Sequence, residues 1–274
     1  MLNHCLLHVD YSDDWDQVPA YLPVMTKLLD MRHLTLVYVI ETFRRRSEED
    51  TEQARIKTLE SLAEDMQEQL AITVDYKLCS GLVVAETRRV ANMLKADGII
   101  TLNRSHSTGR ELFLGNVALN FARMSHLPLL ILPLDGEVPS LQAPVILAYD
   151  CSKFAEGANR QFAGLLEAGE KGIVIAVDDP EYEPDSTHAG APIETLVDRY
   201  GNAQFVQVSG HPIEEILSAA DDAKSPLIVI GKRGNNPDKD MPLGHIAEGV
   251  ARLSRRPVLL VPRERAILST PVYS

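Results

Sequence analysis

Residues 114–133 read LGNVALNFARMSHLPLLILP, and residues 243–262 read LGHIAEGVARLSRRPVLLVP. Laid over one another at a constant offset of 129, nine of the twenty positions are identical. The openings of the two halves pair as well, at an offset of 140, where HVDYSDD around Asp10 and Ser12 falls over AYDCSKF around Asp150 and Ser152. A repeat of this length is a duplicated domain and not a solenoid unit. The 274 residues therefore divide into two domains of ordinary size, 1–135 and 144–265. Between them LDGEVPSLQA (134–143), with Gly136 and Pro139, has neither strand nor helix period and reads as the linker. The copies differ at one set of positions. Gly231, Gly234 and Gly244 give the second copy the spacing G-x2-G-x9-G, whereas the first has Leu102, Ser105 and Gly115 there. One half is expected to bind a ligand and the other to scaffold.

Charge and composition narrow the function classes. A formal net charge of −12 argues against a nucleic-acid backbone as partner, because such sites need a basic stripe to displace counterions. Arg44-Arg45-Arg46, the dense basic run of the first half, reads as a solvated loop ahead of an exposed helix. Cys5, Cys79 and Cys151 are odd in number, far apart and without a C-x-x-C pair, which suits a reducing compartment better than a disulfide framework. Cys5 and Cys79 sit in apolar strand patterns; Cys151 follows Asp150 at a strand end, where a ligand has access. The first twenty residues carry no basic n-region and no continuous apolar stretch, so a secretory signal is not expected. No segment approaches the ~20 apolar residues of a membrane helix, so membrane insertion is not expected either. The cytoplasm is the expected location.

Short β-branched runs alternate with longer amphipathic segments, the pattern of parallel strands joined by crossover helices. In the first half the runs are Cys5 to Val9, Thr35 to Ile40, Ile72 to Leu78, Ile99 to Leu102 and Pro128 to Leu132. In the second they are Val145 to Tyr149, Ile173 to Val177, Ala203 to Val208, Leu227 to Ile230 and Val258 to Val261. This is an α/β chain of two doubly wound, five-stranded parallel-sheet domains. Helical periods mark Thr51 to Leu70, with Ile56, Leu59, Ala63, Met66 and Leu70 on one face, and Pro212 to Lys224, which opens on Pro. Asp178 to Tyr200 replaces a long helix by a Pro-rich loop and a short helix, and loops of that length are often functional.

In an open parallel sheet, ligands bind beyond the carboxyl ends of the strands where the strand order reverses. With the first and fourth strands adjacent at that point, Asp150 and Gly231 stand side by side. Gly231 ends a strand and Gly234 turns the chain, so backbone N–H groups approach a ligand with no Cβ in the way. Gly244 opens the helix His245 to Arg255, whose first N–H groups and dipole favour an anion. Lys232 and Arg233 are placed to add positive charge, against Asp238 and Asp240 in the intervening loop. The bland alternative is that loops between strands and helices need glycine for turns, whatever they bind.

On these residues the chain resembles the universal stress protein family in its tandem two-domain form, over nearly its whole length. The resemblance rests on Asp150 with Ser152 (Asp10 with Ser12 in the first copy), on Gly231, Gly234 and Gly244, and on the Pro-terminated last strands PLLILP and PVLLVP. It implies strand order 3-2-1-4-5 in each domain and pairing of the two fifth strands, an intramolecular pseudo-dimer. It also implies an adenine nucleotide, ATP or alternatively ADP or AMP, in the second domain. Asp150 would contact the adenosine, Val177 would line the adenine pocket, and Gly231, Gly234 and Gly244, followed by His245 and Ile246, would hold ribose and phosphates. His245 stands where the family has Ser or Thr, which removes a hydroxyl donor but leaves the backbone N–H. A neutral imidazole still donates one hydrogen bond, and a charged one favours phosphate more. With Leu102, Ser105 and Asn116 at its corresponding positions, the first domain is not expected to hold nucleotide.

Other chemistries lack their residues. Of the eight histidines, His4 and His8 make one H-x3-H pair, but it falls at the first apolar strand run and not on a helix, where that spacing would converge on one metal, so no zinc site is expected. His211, before Pro212, reads as a loop residue at a helix start. There is no G-x4-G-K-[ST], no G-x-G-x-x-G and no G-x-S-x-G. Asp150, Asp178 and Asp179 are candidates to hold Mg²⁺ with a nucleotide's phosphates, and are also what a strand end and a turn commonly carry. No base, oriented water or arginine finger is assigned for hydrolysis, so enzymatic activity is not the expectation. The nucleotide would act as a regulatory ligand of a stress-response protein, the loops 178–200 and 235–242 ordering around it and altering the surface offered to a protein partner. A slow ATPase, with Asp150 and a metal positioning water, and a nucleotide-free interaction scaffold are the two alternatives. Association of the pseudo-dimer into a homodimer is left open.

Overall fold

The structure, a computed structural model, describes residues 1–11, 15–41, 52–103, 116–134, 136–179, 194–234 and 241–263. Ser12, Arg44 to Arg46, Thr51, Ser105, His106, Leu114, Gly115, His188, residues 180–193, and the stretch 235–240 with Asp238 and Asp240 lie outside these residues.

The first half runs β1 (His4–Val9), α1 (Val18–Leu28), β2 (His33–Ile40), α2 (Glu52–Leu70), β3 (Thr73–Ser80), α3 (Val83–Leu94), β4 (Gly98–Asn103), α4 (Asn116–Met124) and β5 (Leu129–Pro133). The second runs β6 (Val145–Tyr149), α5 (Glu156–Glu167), β7 (Gly172–Asp178), α6 (Glu194–Arg199), β8 (Ala203–Ser209), α7 (Pro212–Asp222), β9 (Ile228–Gly231), α8 (His245–Leu253) and β10 (Val258–Val261). The strands make one ten-stranded sheet in the order β3-β2-β1-β4-β5-β10-β9-β6-β7-β8, which is 3-2-1-4-5 in each half joined fifth strand to fifth strand. Every pairing is parallel except that of β5 with β10.

The central strands read as unbroken apolar runs because helices bury both of their faces. Every residue of β5, β6 and β10 is buried. One face packs on α1, α2 and α5 through Leu22, Met25, Leu59, Met66, Phe162 and Leu165. The other packs on α3, α4, α7 and α8 through Val90, Phe121, Ile216, Ala247 and Val250. Pro23 lies inside α1, where its missing N–H leaves the Pro19 carbonyl without its helical donor. The Gln69 side-chain amide of α2 donates to that carbonyl instead, at 3.3 Å.

Two helices end earlier than their periodicity suggests. The segment expected to run to Lys224 stops at Asp222, and Lys224 turns left-handed with φ 50°. The one expected to run to Arg255 stops at Leu253, where Ser254 becomes extended. The Ser254 hydroxyl donates to the Arg256 carbonyl at 2.8 Å and accepts the Arg256 N–H at 3.0 Å, a local side-chain turn that competes with the helix. Ser125, its equivalent 129 residues earlier, makes the same pair of bonds with Leu127. This shared serine in the repeat is therefore a hinge from helix into the fifth strand.

The β5–β10 register places Leu130 opposite Leu259, flanked by the pairs Ile131–Val258 and Leu129–Leu260. Leu130 and Leu259 are also each other's repeat equivalents, so a pseudo-twofold axis passes between them, as in an isologous dimer. The same axis relates Asn103, at the end of β4, to Lys232, just beyond β9. The Asn103 amide donates to the Ala251 and Arg252 carbonyls in the last turn of α8, both at 3.1 Å. The Lys232 amine donates to the Arg123 and Ser125 carbonyls at the end of α4, at 3.0 and 2.9 Å. Each half thus satisfies the orphan carbonyls at a helix C-terminus of the other.

Candidate nucleotide site

At the carboxyl edge of the second half, β6 stands between β7 and β9. Tyr149 pairs with Ala176, so the next residues along, Asp150 and Val177, lie side by side. On the other flank Ala148 pairs with Ile230, which brings Gly231 to the same edge. Asp150 is exposed and Val177 half-buried against the apolar layer of α7 and α8. Past Asp150 the chain turns at Cys151, left-handed with φ 58°, and the Ser152 N–H donates to Asp150 Oδ1 at 3.0 Å. Ser152 is fully buried, and its hydroxyl has no hydrogen-bond partner among the described residues. Tyr11, the equivalent of Cys151, is also left-handed, with φ 48°, so the strand-end turn belongs to the shared frame and not to a ligand alone.

The three glycines are glycine for three different reasons. A Cβ on Gly231 would lie 3.1 Å from the Arg233 carbonyl and 3.2 Å from Ala155 Cα, so the end of β9 needs glycine to pack against the turn Lys153–Ala155. A Cβ on Gly234 would strike Asp150 Oδ2, because the carboxylate leans over the Gly234 backbone. Gly244 has φ −71° and ψ 145°, open to any residue, and its nearest neighbours would be in ordinary contact at 3.6–3.7 Å. Neither its conformation nor its packing against the described residues requires glycine there. Its missing side chain leaves open the space beside Lys232, Arg233 and the Gly234 N–H. Gly244 is also the N-cap of α8 and supplies no capping side chain. His245 is exposed in the first turn of α8, and Ile246 is half-buried against the core. Asp150, Gly231, Gly234 and Gly244 thus form one contiguous group, with Val177, His245 and Ile246 at its margins.

Lys232 does not face this group. It is 9% exposed, and its amine lies at the C-terminus of α4 in the first half, so the charge the sequence suggested for phosphate is spent elsewhere. Burial, with Arg233 and Arg88 as nearby like charges, pushes the amine down to about 8. Asp178 is engaged as well, its carboxylate accepting from the Gln207 amide at 2.8 Å and its carbonyl from the Gly210 N–H at 3.1 Å. Among the described residues there is no group of three or more His, Cys, Asp or Glu able to hold a metal ion. Cys5 is buried, which pushes its thiol well up, and Cys79 is partly buried with its thiol raised for the same reason; both pack as apolar residues. Cys151 is exposed.

The corresponding edge of the first half is filled differently. Tyr11 packs at 5.1 Å from the Tyr38 ring and 6.3 Å from Trp15, with Arg55 stacked 4.8 Å over Tyr38. A large side chain therefore stands where the second half has the small Cys151.

Residues 6–133 and 144–262 each match the profile of the Universal stress protein family. The chain belongs to the universal stress protein family. Among solved structures, a universal stress protein from Archaeoglobus fulgidus DSM 4304 superposes with a TM-score of 0.79 at 23% identity, covering 96% of this chain and all of that one. A Pseudomonas aeruginosa PAO1 protein described as functionally unknown superposes at 0.69 with 17% identity, over 96% of this chain and 93% of its own. These likenesses are likenesses of fold. Over 68 residues, 25% of this chain, it is 37% identical to the universal stress protein YxiE of Bacillus subtilis, and the match spans 46% of that relative's length. A shorter match, also 37% identical, covers 36% of the universal stress protein MJ0577 of Methanocaldococcus jannaschii. The chain thus spans less than half the length of either relative. No helix among the described residues of this universal stress protein is long and apolar enough to cross a membrane.

Two predictions follow from the geometry of the tandem protein. Alanine at Gly231 should lower stability by about 1–3 kcal/mol through the forced shift of Ala155, whereas alanine at Gly244 should leave it within about 1 kcal/mol. Chemical denaturation of the two variants checks this, and equal losses would mean Gly244 is structural. The second concerns pH. Because the folded amine of Lys232 titrates near 8 and the unfolded one near 10.5, the unfolded chain holds more protons between these values, and stability from this group rises with pH across that window. The unfolding free energy of wild type minus that of Lys232→Met should therefore climb from pH 8 to 10.5 and be flat below 8. A difference independent of pH over the whole range would contradict the buried placement.

Proposed function

We propose that this universal stress protein binds an adenine nucleotide, ATP or its relative AMP, in the second domain (144–265) as a regulatory ligand in a stress response. The observation that carries the reading is Gly244, at the start of α8, whose missing side chain is required neither by backbone conformation nor by packing against the described residues, and which supplies no capping side chain. An anion there meets N–H groups at the positive end of the helix dipole. Asp150 then stays with the adenosine part, away from the phosphates, and Val177 offers the apolar wall. The buried Ser152 hydroxyl, without a partner among the described residues, is a second polar group at the same strand end.

The first domain (1–135) carries no nucleotide on this reading. Tyr11, Trp15 and Tyr38 occupy the edge that Cys151 leaves open in the second. Mg²⁺ accompanies the nucleotide mainly through the phosphates themselves, since Asp178 is already bonded to Gln207. The ligand is held and not turned over, and the protein works in the cytoplasm, presenting different surfaces to a protein partner in its occupied and empty states.

The test is the thermal midpoint of nucleotide-free protein with and without excess Mg-ATP, beside Gly234→Val, whose side chain drives into Asp150. Ligand at about 100 times its dissociation constant adds ~2.7 kcal/mol to the folded state. A rise in wild type that disappears in Gly234→Val is expected. No rise in either protein would leave an interaction scaffold as the function.

A further inference from the structure

Lys232 lies between two of the three glycines, yet each of its polar groups leads to a different part of the molecule. Its N–H donates to the Val261 carbonyl at 2.8 Å and fixes it to the end of β10. Its carbonyl accepts the Gly244 N–H at 3.0 Å, and this bond closes the base of the excursion that runs from Arg233 to Leu243. Its amine crosses to the first half and donates to Arg123 and Ser125 at the end of α4. A charged amine at a helix C-terminus meets the negative end of the dipole, and the last carbonyls are otherwise without intrahelical donors.

A second link joins the same two places. Arg123, in the last turn of α4, reaches Glu248 in the first turn of α8 at 3.3 Å. The Glu248 N–H donates to the Gly244 carbonyl at 2.9 Å. The end of α4 is therefore tied to both sides of Gly244, through Lys232 to its N–H and through Arg123 and Glu248 to its carbonyl. Gly244 is the residue at which the glycine loop becomes the ligand-facing helix. The pseudo-symmetric contact lacks this property, because Asn103 holds the C-terminal turn of α8, far from that helix's ligand end, and the first half has Leu102 where the second has Gly231.

We propose that Lys232 is a positioning residue for the nucleotide site, and that through it occupancy of the second domain is transmitted to the last turn of α4 in the first; the inference rests on the nucleotide reading above. The first domain, which keeps only Gly115 of the three glycines, then contributes the anchor on which the site's backbone is set. It is also the surface at which occupancy registers, which gives the duplicated chain a use for its unliganded half.

The experiment compares wild type, Lys232→Met and Asn103→Ala as full-length, nucleotide-free chains. Equilibrium dialysis with ATP measures affinity, and hydrogen exchange is followed peptide by peptide with and without saturating Mg-ATP. In wild type, ATP should slow exchange in the peptide containing Phe121 to Ser125 as well as across the glycine loop and α8. Lys232→Met should weaken ATP binding by about tenfold or more, the loss of charged hydrogen bonds that hold the loop base. At saturation it should no longer show the α4 response. Asn103→Ala removes the bonds to the Ala251 and Arg252 carbonyls between the halves and should keep its ATP affinity within about twofold, since neither of these touches the glycine loop. Unchanged exchange in α4 of wild type overturns the proposal, and this arm needs no substituted chain. So does a Lys232→Met protein that binds like wild type, or equal losses in both variants, which would reduce Lys232 to general architecture. A wild type that binds no ATP sinks the nucleotide reading itself, and this inference with it.

Discussion

Three residue pairs, Leu129–Leu260, Leu130–Leu259 and Ile131–Val258, join two five-stranded sheets into one. Without that pairing each half would end in an exposed fifth strand of wholly apolar, fully buried type, LLILP or VLLV, with no charge, bulge or exposed proline to discourage association. The constraint is therefore strong: the two edges must cover one another, and they do so about an axis that exchanges Leu130 with Leu259. Once the axis is set, little else is free. It brings the C-terminal turns of α4 and α8 against the opposite half and makes Asn103 and Lys232 their caps. It also leaves β3 and β8 as the outer edges of the sheet, and both are partly exposed.

Inside this frame the halves differ in the helix after the second strand, the long α2 against the short α6, and at the carboxyl ends of their strands. The left-handed turn after the first strand persists in both, as Tyr11 and Cys151. What changes is bulk. Tyr11 packs an aromatic cluster over its edge, whereas Cys151, Gly231 and Gly234 keep the other edge low. A duplicated sheet tolerates this because the apolar layers lie beneath the edge and do not depend on the loops above it. Leu102, in place of Gly231, is itself buried. The pair Asn103 and Lys232 is the exception, since there a residue at the edge of one half is part of the structure of the other.

Much of this was legible in the sequence, for identifiable reasons. Parallel strands buried on both faces read as continuous β-branched runs, which is why Val145–Tyr149 and Val258–Val261 emerge with the bounds the pattern suggests. The constant offset of 129 marks Leu130 and Leu259 as repeat equivalents, and the structure adds that this pair lies on the axis. Less legible were effects with no local signature. The ends of α7 and α8 depend on a left-handed Lys224 and on the Ser254 turn, either of which an uninterrupted helical period hides. Gly231 reads as a ligand glycine, and the sequence does not show that Ala155 also needs it, a contact between segments far apart in the chain. Lys232 beside glycines reads as a phosphate contact, and only the packed pseudo-dimer shows its amine at the end of α4. The signal that would have exposed it was present: Lys232 and Asn103 are repeat equivalents, and two donor side chains at one position of a twofold interface point to reciprocal contacts.

The proposed function rests on one asymmetry, a nucleotide site in one half of a symmetric frame and none in the other. The number of nucleotides bound per chain, measured by equilibrium dialysis of nucleotide-free protein against ATP, tests it most directly. One per chain is predicted; two per chain, one in each half, or none would contradict it.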